Sequence, residues 1–271
     1  MVSAAEEKAR YLRDALETMN VQRIGKSISW HEHVDSTNLQ AANLAKEGAE
    51  EGMVVLSDVQ DAGYGRLNRS WASPAGGVWL SIILRPKIAI QEAAKITLMG
   101  GVAVAETLES LYGLNPTIKW PNDVLISEKK VCGILTEMRT EGRDIQFLIL
   151  GLGINANCNF EELPEDIRSS ATTLRLEKGS DISIMPLIET LLYNIDRLYN
   201  VLLSGDTRYI INLWKNRSDT LGRRVAITTP MEKIEGLAMD LDDSGALVIR
   251  TDDGGLKTIV AGDCTHLTNA I

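Results

Sequence analysis

The chain has 271 residues, 44% of them hydrophobic, and a formal net charge of -9. That is enough apolar material for one large core or a main core with a smaller one beside it. The acidic balance excludes broad binding to nucleic acid or an anionic membrane, either of which needs a basic footprint, but it leaves room for a small local basic site.

Residues 3–19 place Ala5, Ala9, Leu12, Ala15, Leu16 and Met19 at helical spacing, and their interspersed charges leave no apolar signal core. No later run approaches the roughly 18 apolar residues of a membrane span, so the chain reads as cytoplasmic. "SISWHEHV" alternates like a strand and runs into "DSTNLQAANLAKEG", a helix capped by Asp35, Ser36 or Thr37 and stopped at Gly48. "MVVLSD" (53–58) and "VWLSIILRP" (78–86) are strands on either side of a glycine-rich loop, and a long apolar helix spans roughly residues 91–112 up to Gly113. "IKWPNDVLI" reads as strand, turn, strand; "KKVCGILTEM" and "IQFLILGLGINA" read as antiparallel partners across a Thr140–Gly142 turn.

Residues 186–216 return to helix, and after Ser218 short strands alternate with Asp/Gly turns, the pattern of a small twisted β-barrel. The expected organisation is an N-terminal helix (1–20), a main domain of sheet and helices (21–218) and a β-domain (219–271), an α+β fold. Cys132, Cys158 and Cys264 form no CxxC pair, which argues against a disulfide framework or a cysteine zinc site. His31 and His33 lack further ligands nearby and read as one side of a strand.

Four clusters carry chemistry. In "QDAGYGRLNRSW", Gly63 and Gly65 let the backbone approach an anion, and Arg66 and Arg69 add planar cationic forks. A strand follows where a dinucleotide fingerprint needs a helix, and no P-loop is present. Alone, the loop is an anion cradle or a plain hairpin. In "KWPNDV", Lys119 closes a strand before a rigid turn and could bridge a carboxylate and a phosphate, while Asn122 and Asp123 suit a ribose, a metal or their own backbone. In "GLGINAN", Gly151 and Gly153 leave space against a strand and Asn155 offers an amide; a bulge or close packing is the plainer alternative. In "DSTN", Ser36 and Thr37 suit a helix cap or a polar ligand group.

In order and spacing, "VDSTN", "Q-x-A-G-x-G-R-x-x-R-x-W", "KWPNDV", "CGIL-x-E" and "GLGIN" together resemble the biotin protein ligases over roughly residues 21–270. The resemblance implies a largely antiparallel mixed sheet of the class II synthetase type with flanking helices and a C-terminal SH3-like barrel. It implies ATP and biotin as substrates with Mg2+, a biotinyl-5′-AMP intermediate, and a carboxylase carrier-domain lysine as acceptor. By the same resemblance Ser36, Thr37 and Asn38 line the biotin ureido end, and Gln60, Gly63, Tyr64 and Gly65 help hold biotin. Arg66 and Lys119 face the reacting carboxylate and phosphate. Arg69, Trp71, Asn122, Asp123 and Asn155 lie toward the adenylate, with Asp123 as metal ligand, and Gly133 and Gly153 complete the walls. Two positions depart from the family's usual G-R-G-R-x-G-R-x-W: Tyr64 replaces an arginine and Asn68 a glycine. Asparagine tolerates left-handed backbone, so the turn is expected to survive.

Relatives in many cases form homodimers, and exposed strands here could pair likewise. A lipoate-type ligase of the same architecture is the nearest rival. A biotin-responsive repressor is disfavoured, since only about 20 residues precede "VQRIGKSISW", too few for a winged-helix domain by the family comparison.

Overall fold

A computed structural model describes residues 3–159, 161 and 164–267. Ser3 and Glu6 exchange hydrogen bonds in a capping box that starts α1 (Ala4–Thr18). Of the three candidate caps, Ser36 caps α2 (Thr37–Lys46) by accepting from Leu39 N. The strands β1 (Ile28–Val34), β2 (Val54–Gln60) and β3 (Val78–Leu84) precede α3 (Ala94–Tyr112), which ends on left-handed Gly113. Then follow β4 (Thr117–Lys119), β5 (Asp123–Ile126), β6 (Lys129–Glu141) and β7 (Asp144–Ile154). These seven strands form one sheet in the order β1-β2-β3-β7-β6-β5-β4, with β1 and β2 parallel and the other neighbours antiparallel.

The β6–β7 ladder runs on to Glu141 and Asp144, so the chain reverses at Gly142–Arg143, slightly beyond the expected turn. Arg139, Thr140 and Glu141 stay paired because the ladder is made by the backbone. Two helices lie where the sequence pattern assigned nothing: α4 (Glu165–Arg168) and α5 (Leu174–Lys178). Each is too short to display a helical period. The helices α6 (Ile184–Leu203) and α7 (Thr207–Lys215) follow as expected.

A second, wholly antiparallel sheet contains β8 (Arg224–Thr228), β9 (Lys233–Leu241), β10 (Leu247–Thr251), β11 (Leu256–Ile259) and β12 (Asp263–His266), in the order β11-β10-β9-β8-β12. It lies within the expected 219–271 stretch, of which 268–271 fall outside the described residues. Strand β12, "DCTH", has no apolar alternation and was not foreseen; pairing with β8 makes it a strand.

Period-two alternation divides the main sheet's faces. On β3 and β7, Leu80, Ile82, Leu84, Leu148, Leu150, Leu152 and Ile154 belong to the large core with α3 and α6. The intervening Ile83, Phe147 and Ile149 pack with Val55 against Ala41 and Ala45 of α2. Farther along that second face the sequence turns small: Ser81 pairs with Gly151, and Gly153 with Gly133. Large side chains support a helix at one end of this face, and small ones leave a hollow at the other.

The link from α1 to β1 is held by the buried carboxylate of Asp196 on α6, which accepts from Gln22 N (3.0 Å), Arg23 N (2.7 Å) and Ile24 N (3.0 Å). Asp196→Ala orphans those donors and is expected to cost about 3 kcal/mol of stability. Thermal or denaturant unfolding of the variant checks this.

Candidate active site

The hollow is a cavity of about 570 Å³ bordered by α2, the 61–73 loop, β4 to β7, the segment around Ala171 and the edge of the second sheet. Its floor is made of Gly133, Gly151 and Gly153. A Cβ on Gly151 would stand 2.0 Å from Asn38 Oδ1, and one on Gly153 would stand 2.5 Å from Trp71 Nε1. The glycines therefore admit the Asn38 amide and the Trp71 indole to the sheet surface. Gly151→Ala is expected to dislodge Asn38 and raise the KM for the ligand that it contacts about tenfold, one lost charge-free hydrogen bond being worth about 1 kcal/mol or somewhat more. Steady-state kinetics on the variant tests this.

At one end lies a continuous polar network. Gln60 Oε1 accepts from Thr37 N (2.8 Å) and Thr37 Oγ1 (3.1 Å), while Gln60 Nε2 donates to Ser73 Oγ (2.7 Å). Ser81 Oγ lies 2.8 Å from Thr37 Oγ1 and 2.6 Å from Asn38 Oδ1. Asn38 Nδ2 donates to Glu137 Oε2 at 2.6 Å, and the Tyr64 hydroxyl donates to the same oxygen at 2.9 Å. Burial first, then the hydrogen bond and charge of Glu137, push the Tyr64 phenol up to about 12, so it remains a donor at neutral pH. Tyr64 thus acts through a hydrogen bond where an arginine would act through charge.

The other end is cationic: among the described residues Arg66, Arg69, Lys119 and Lys130 line it against Asp123 and Asp263, a local excess of positive charge in an acidic chain. The 61–73 loop closes on itself through Trp71 N to Gly63 O (2.8 Å) and Gly65 N to Arg69 O (2.8 Å). Its tip turns through Leu67 and Asn68, both left-handed at φ 55°. Asn68 suits that conformation; the exposed Leu67 holds it at a cost of about 1–2 kcal/mol. The loop is a hairpin, and its rim carries the cations.

Arg66 donates to Asn122 Oδ1 (3.1 Å) and to Gly262 O (2.9 Å), with Asp263 Oδ1 at 3.7 Å. Arg69 also pairs with Asp263. Lys130 pairs with Asp123 (2.7 Å) and sits 4.9 Å over the Trp71 ring. Lys119 differs: among the described residues its ammonium has no hydrogen-bond or ion-pair partner. Its backbone is pinned on both sides, by Ile118 N to Arg217 O (2.7 Å), Asp219 N to Ile118 O (2.9 Å) and Trp120 N to Thr220 Oγ1 (2.9 Å). Cys264 beside it is no nucleophile, because burial pushes its thiol up to about 12 despite the Lys119 charge.

Every residue singled out from the sequence borders the cavity except Gly63. A Cβ at Gly63 would meet Trp71 O at 2.6 Å and Ser73 Oγ at 2.7 Å, so this glycine packs the loop against itself behind the wall. Asn122 spends both ends of its amide on the protein, its Nδ2 donating to Ile134 O (2.9 Å), and so holds Arg66. Asn155 Nδ2 donates to Thr172 O (3.1 Å), fixing the Ala171 wall. Asp123 is engaged by Lys130, and among the described residues no group of three or more His, Cys, Asp or Glu could hold a metal ion. Ser81, Lys130, Glu137 and Asp263 were not singled out. Only Glu137 carried a motif signal, in "CGIL-x-E".

With this geometry in hand, similarity to known proteins is specific. The Biotin/lipoate A/B protein ligase family matches residues 30–155 and the Biotin protein ligase C terminal domain residues 220–267. The chain is 35% identical over 246 residues to the bifunctional ligase/repressor BirA of Bacillus subtilis, covering 90% of this chain and 75% of that one. It is 32% identical over 278 residues to the biotin--[acetyl-CoA-carboxylase] ligase of Mycobacterium tuberculosis, covering 95% of each. Among solved structures, the biotin protein ligase from Aquifex aeolicus in complex with biotin and ATP matches with a TM-score of 0.77 at 31% identity, covering 89% of this chain and 99% of that one. The polar pocket, the cationic rim and both matched regions lead to one family: the chain belongs to the biotin protein ligases.

Proposed function

We propose that the chain joins biotin to ATP as biotinyl-5′-AMP and then transfers the biotinyl group to a lysine of a biotin carboxyl carrier domain. The observation that carries this reading is one cavity with a closed polar network at one end and, at the other, Arg66 beside Lys119, which has no partner among the described residues. Ser36, Thr37 and Asn38 take the ureido ring, and Tyr64, Gly65, Gly133 and Gly153 border the bicycle and chain. A lipoate dithiolane presents no N–H or carbonyl to engage this polar end, which disfavours it.

In the first step a biotin carboxylate oxygen attacks the α-phosphorus in line and pyrophosphate leaves. Two anions must meet, and Lys119 and Arg66 neutralise the charge that builds between them. Lys119 suits this work because no protein carboxylate must be displaced to free it. Arg69, Trp71 and Asn155 border the adenylate, with Asn122 and Asp123 close to the nucleotide. In the second step the carrier lysine's amine attacks the acyl carbon and AMP departs.

Asp123 alone does not make a protein cage for magnesium; the ion is read as arriving on the phosphates of ATP, with Asp123 as its nearest carboxylate. Among the described residues no helix is long and apolar enough to cross a membrane, and the reading places the chain in the cytoplasm with its ATP. The main sheet is taken as class II synthetase-like and the C-terminal sheet as an SH3-like barrel. Strand β1 leaves one sheet edge open, through which a homodimer is read; sedimentation addresses that.

Incubation with biotin, Mg-ATP and an isolated carrier domain tests the function. One biotinyl group added to the carrier, with AMP released, is expected. An unmodified carrier domain, or equal use of lipoate, sinks the reading.

A further inference from the structure

The polar network contains one undecided element, the Asn38 amide. Thr37 N–H can only donate, so it fixes Gln60 with Oε1 toward α2. The Thr37 hydroxyl has one proton, which goes either to Gln60 Oε1 or to Ser81 Oγ. Ser81 also has one proton: given to Thr37 Oγ1 it leaves Ser81 an acceptor for Nδ2, and with Thr37 as its donor Ser81 can give that proton to Asn38 Oδ1. Hydroxyls at this end of the pocket therefore cannot choose between the two amide states.

Glu137 can. An ionised carboxylate is an acceptor only, so it accommodates Nδ2 at 2.6 Å and repels Oδ1, and the Leu135 carbonyl, 3.5 Å from Nδ2, adds weakly in the same sense. The same Oε2 accepts from Tyr64, which belongs to the loop rather than to α2. One oxygen thus ties together two cavity walls and directs Asn38 Oδ1 to the floor, over Gly151. Glu137 itself lies outside the cavity lining.

We propose that Glu137 is a positioning residue that sets the donor–acceptor polarity of the ligand-head pocket by orienting Asn38. Resting on the biotin reading above, this makes Glu137 a specificity determinant for a ring that presents N–H donors: the oriented Asn38 offers them an acceptor, and a flipped amide would offer another donor. Tyr64 extends the device, because a neutral phenol can share the carboxylate oxygen with Asn38 and leave it able to accept from both.

The test compares Glu137→Met, which keeps length but has no strong acceptor, with Glu137→Gln, whose carbonyl oxygen can occupy the same place. Glu137→Ala repeats the measurement should the methionine variant fail to fold. The expected result is a KM for biotin raised about tenfold or more in Glu137→Met. The KM for ATP and kcat should stay within about twofold and the melting temperature should hold, while Glu137→Gln recovers most of the loss. An unchanged biotin KM in Glu137→Met overturns the proposal, as does a parallel loss in kcat and ATP affinity. Equal defects in the methionine and glutamine variants also overturn it, since acceptor geometry would then not be what matters. Asn38→Ala separates the two levels of inference: if that variant binds biotin normally, the ureido-end reading fails whatever Glu137 does. If only Asn38→Ala is defective, the role of Glu137 alone is wrong.

Discussion

Lys119→Ala is expected to slow biotin-dependent pyrophosphate release by about 10³-fold, the scale of removing one preorganised charge stabiliser from a transition state. The fold should be untouched. The backbone around Lys119 is held by Ile118 and Trp120 through residues 217–220, and the side chain has no partner among the described residues to leave orphaned. Equal binding of biotin with a collapsed kcat would locate the loss in the reaction rather than in ground-state binding. Wild-type pyrophosphate release in the variant would remove Lys119 from the mechanism. Lys119→Arg should recover little, because a planar fork does not reproduce a compact ammonium between two oxygens.

Arg66→Ala is expected to let the adenylate escape about 100-fold faster, on the order expected for losing a charge-assisted contact of about 1.5–3 kcal/mol. Rapid filtration of enzyme-bound adenylate measures it, and unchanged retention would refute the role. The arrangement of Arg66 suggests how retention is built. Its guanidinium reaches Asn122 on one side and Gly262 and Asp263 on the other, so it joins the main sheet to the second sheet over the cavity. Arg69 meets the same Asp263 carboxylate. An incoming phosphate therefore competes with a protein carboxylate at both loop arginines, but not at Lys119. The cation assigned to the reaction and the cations assigned to holding its product are accordingly distinguished by their partners.

Much of the architecture was legible in local patterns. Alternation located β1, and short apolar runs bounded by turn residues located β2, β3 and the β6–β7 pair, because a strand's faces and ends meet different surroundings. Cap candidates at Asp35, Ser36 and Thr37 and the stop signals Gly48 and Gly113 located α2 and α3, because caps satisfy backbone groups that the helix leaves open. The elements that escaped, α4, α5 and β12, are four or five residues long and carry no full period. Their conformation comes from neighbours: β12 is a strand because β8 pairs with it.

The same division holds at the site. By itself the sequence determined which residue types were present for the chemistry: glycines for close approach, Lys119 before a rigid turn, and a loop bearing Arg66 and Arg69. It left open whether that loop was cradle or hairpin, and what Tyr64 would do. Only the tertiary structure decided that Tyr64 meets Glu137, that Asp123 is taken by Lys130, that Asp263 answers both loop arginines, and that Lys119 is left without a partner among the described residues. The physical reason is that local periodicity reports which face a residue occupies, whereas a hydrogen bond or ion pair depends on the register and approach of segments far apart in the chain. Arg66 lies in the loop between β2 and β3 and Asp263 on β12 of the second sheet, and no spacing rule within either segment contains the other.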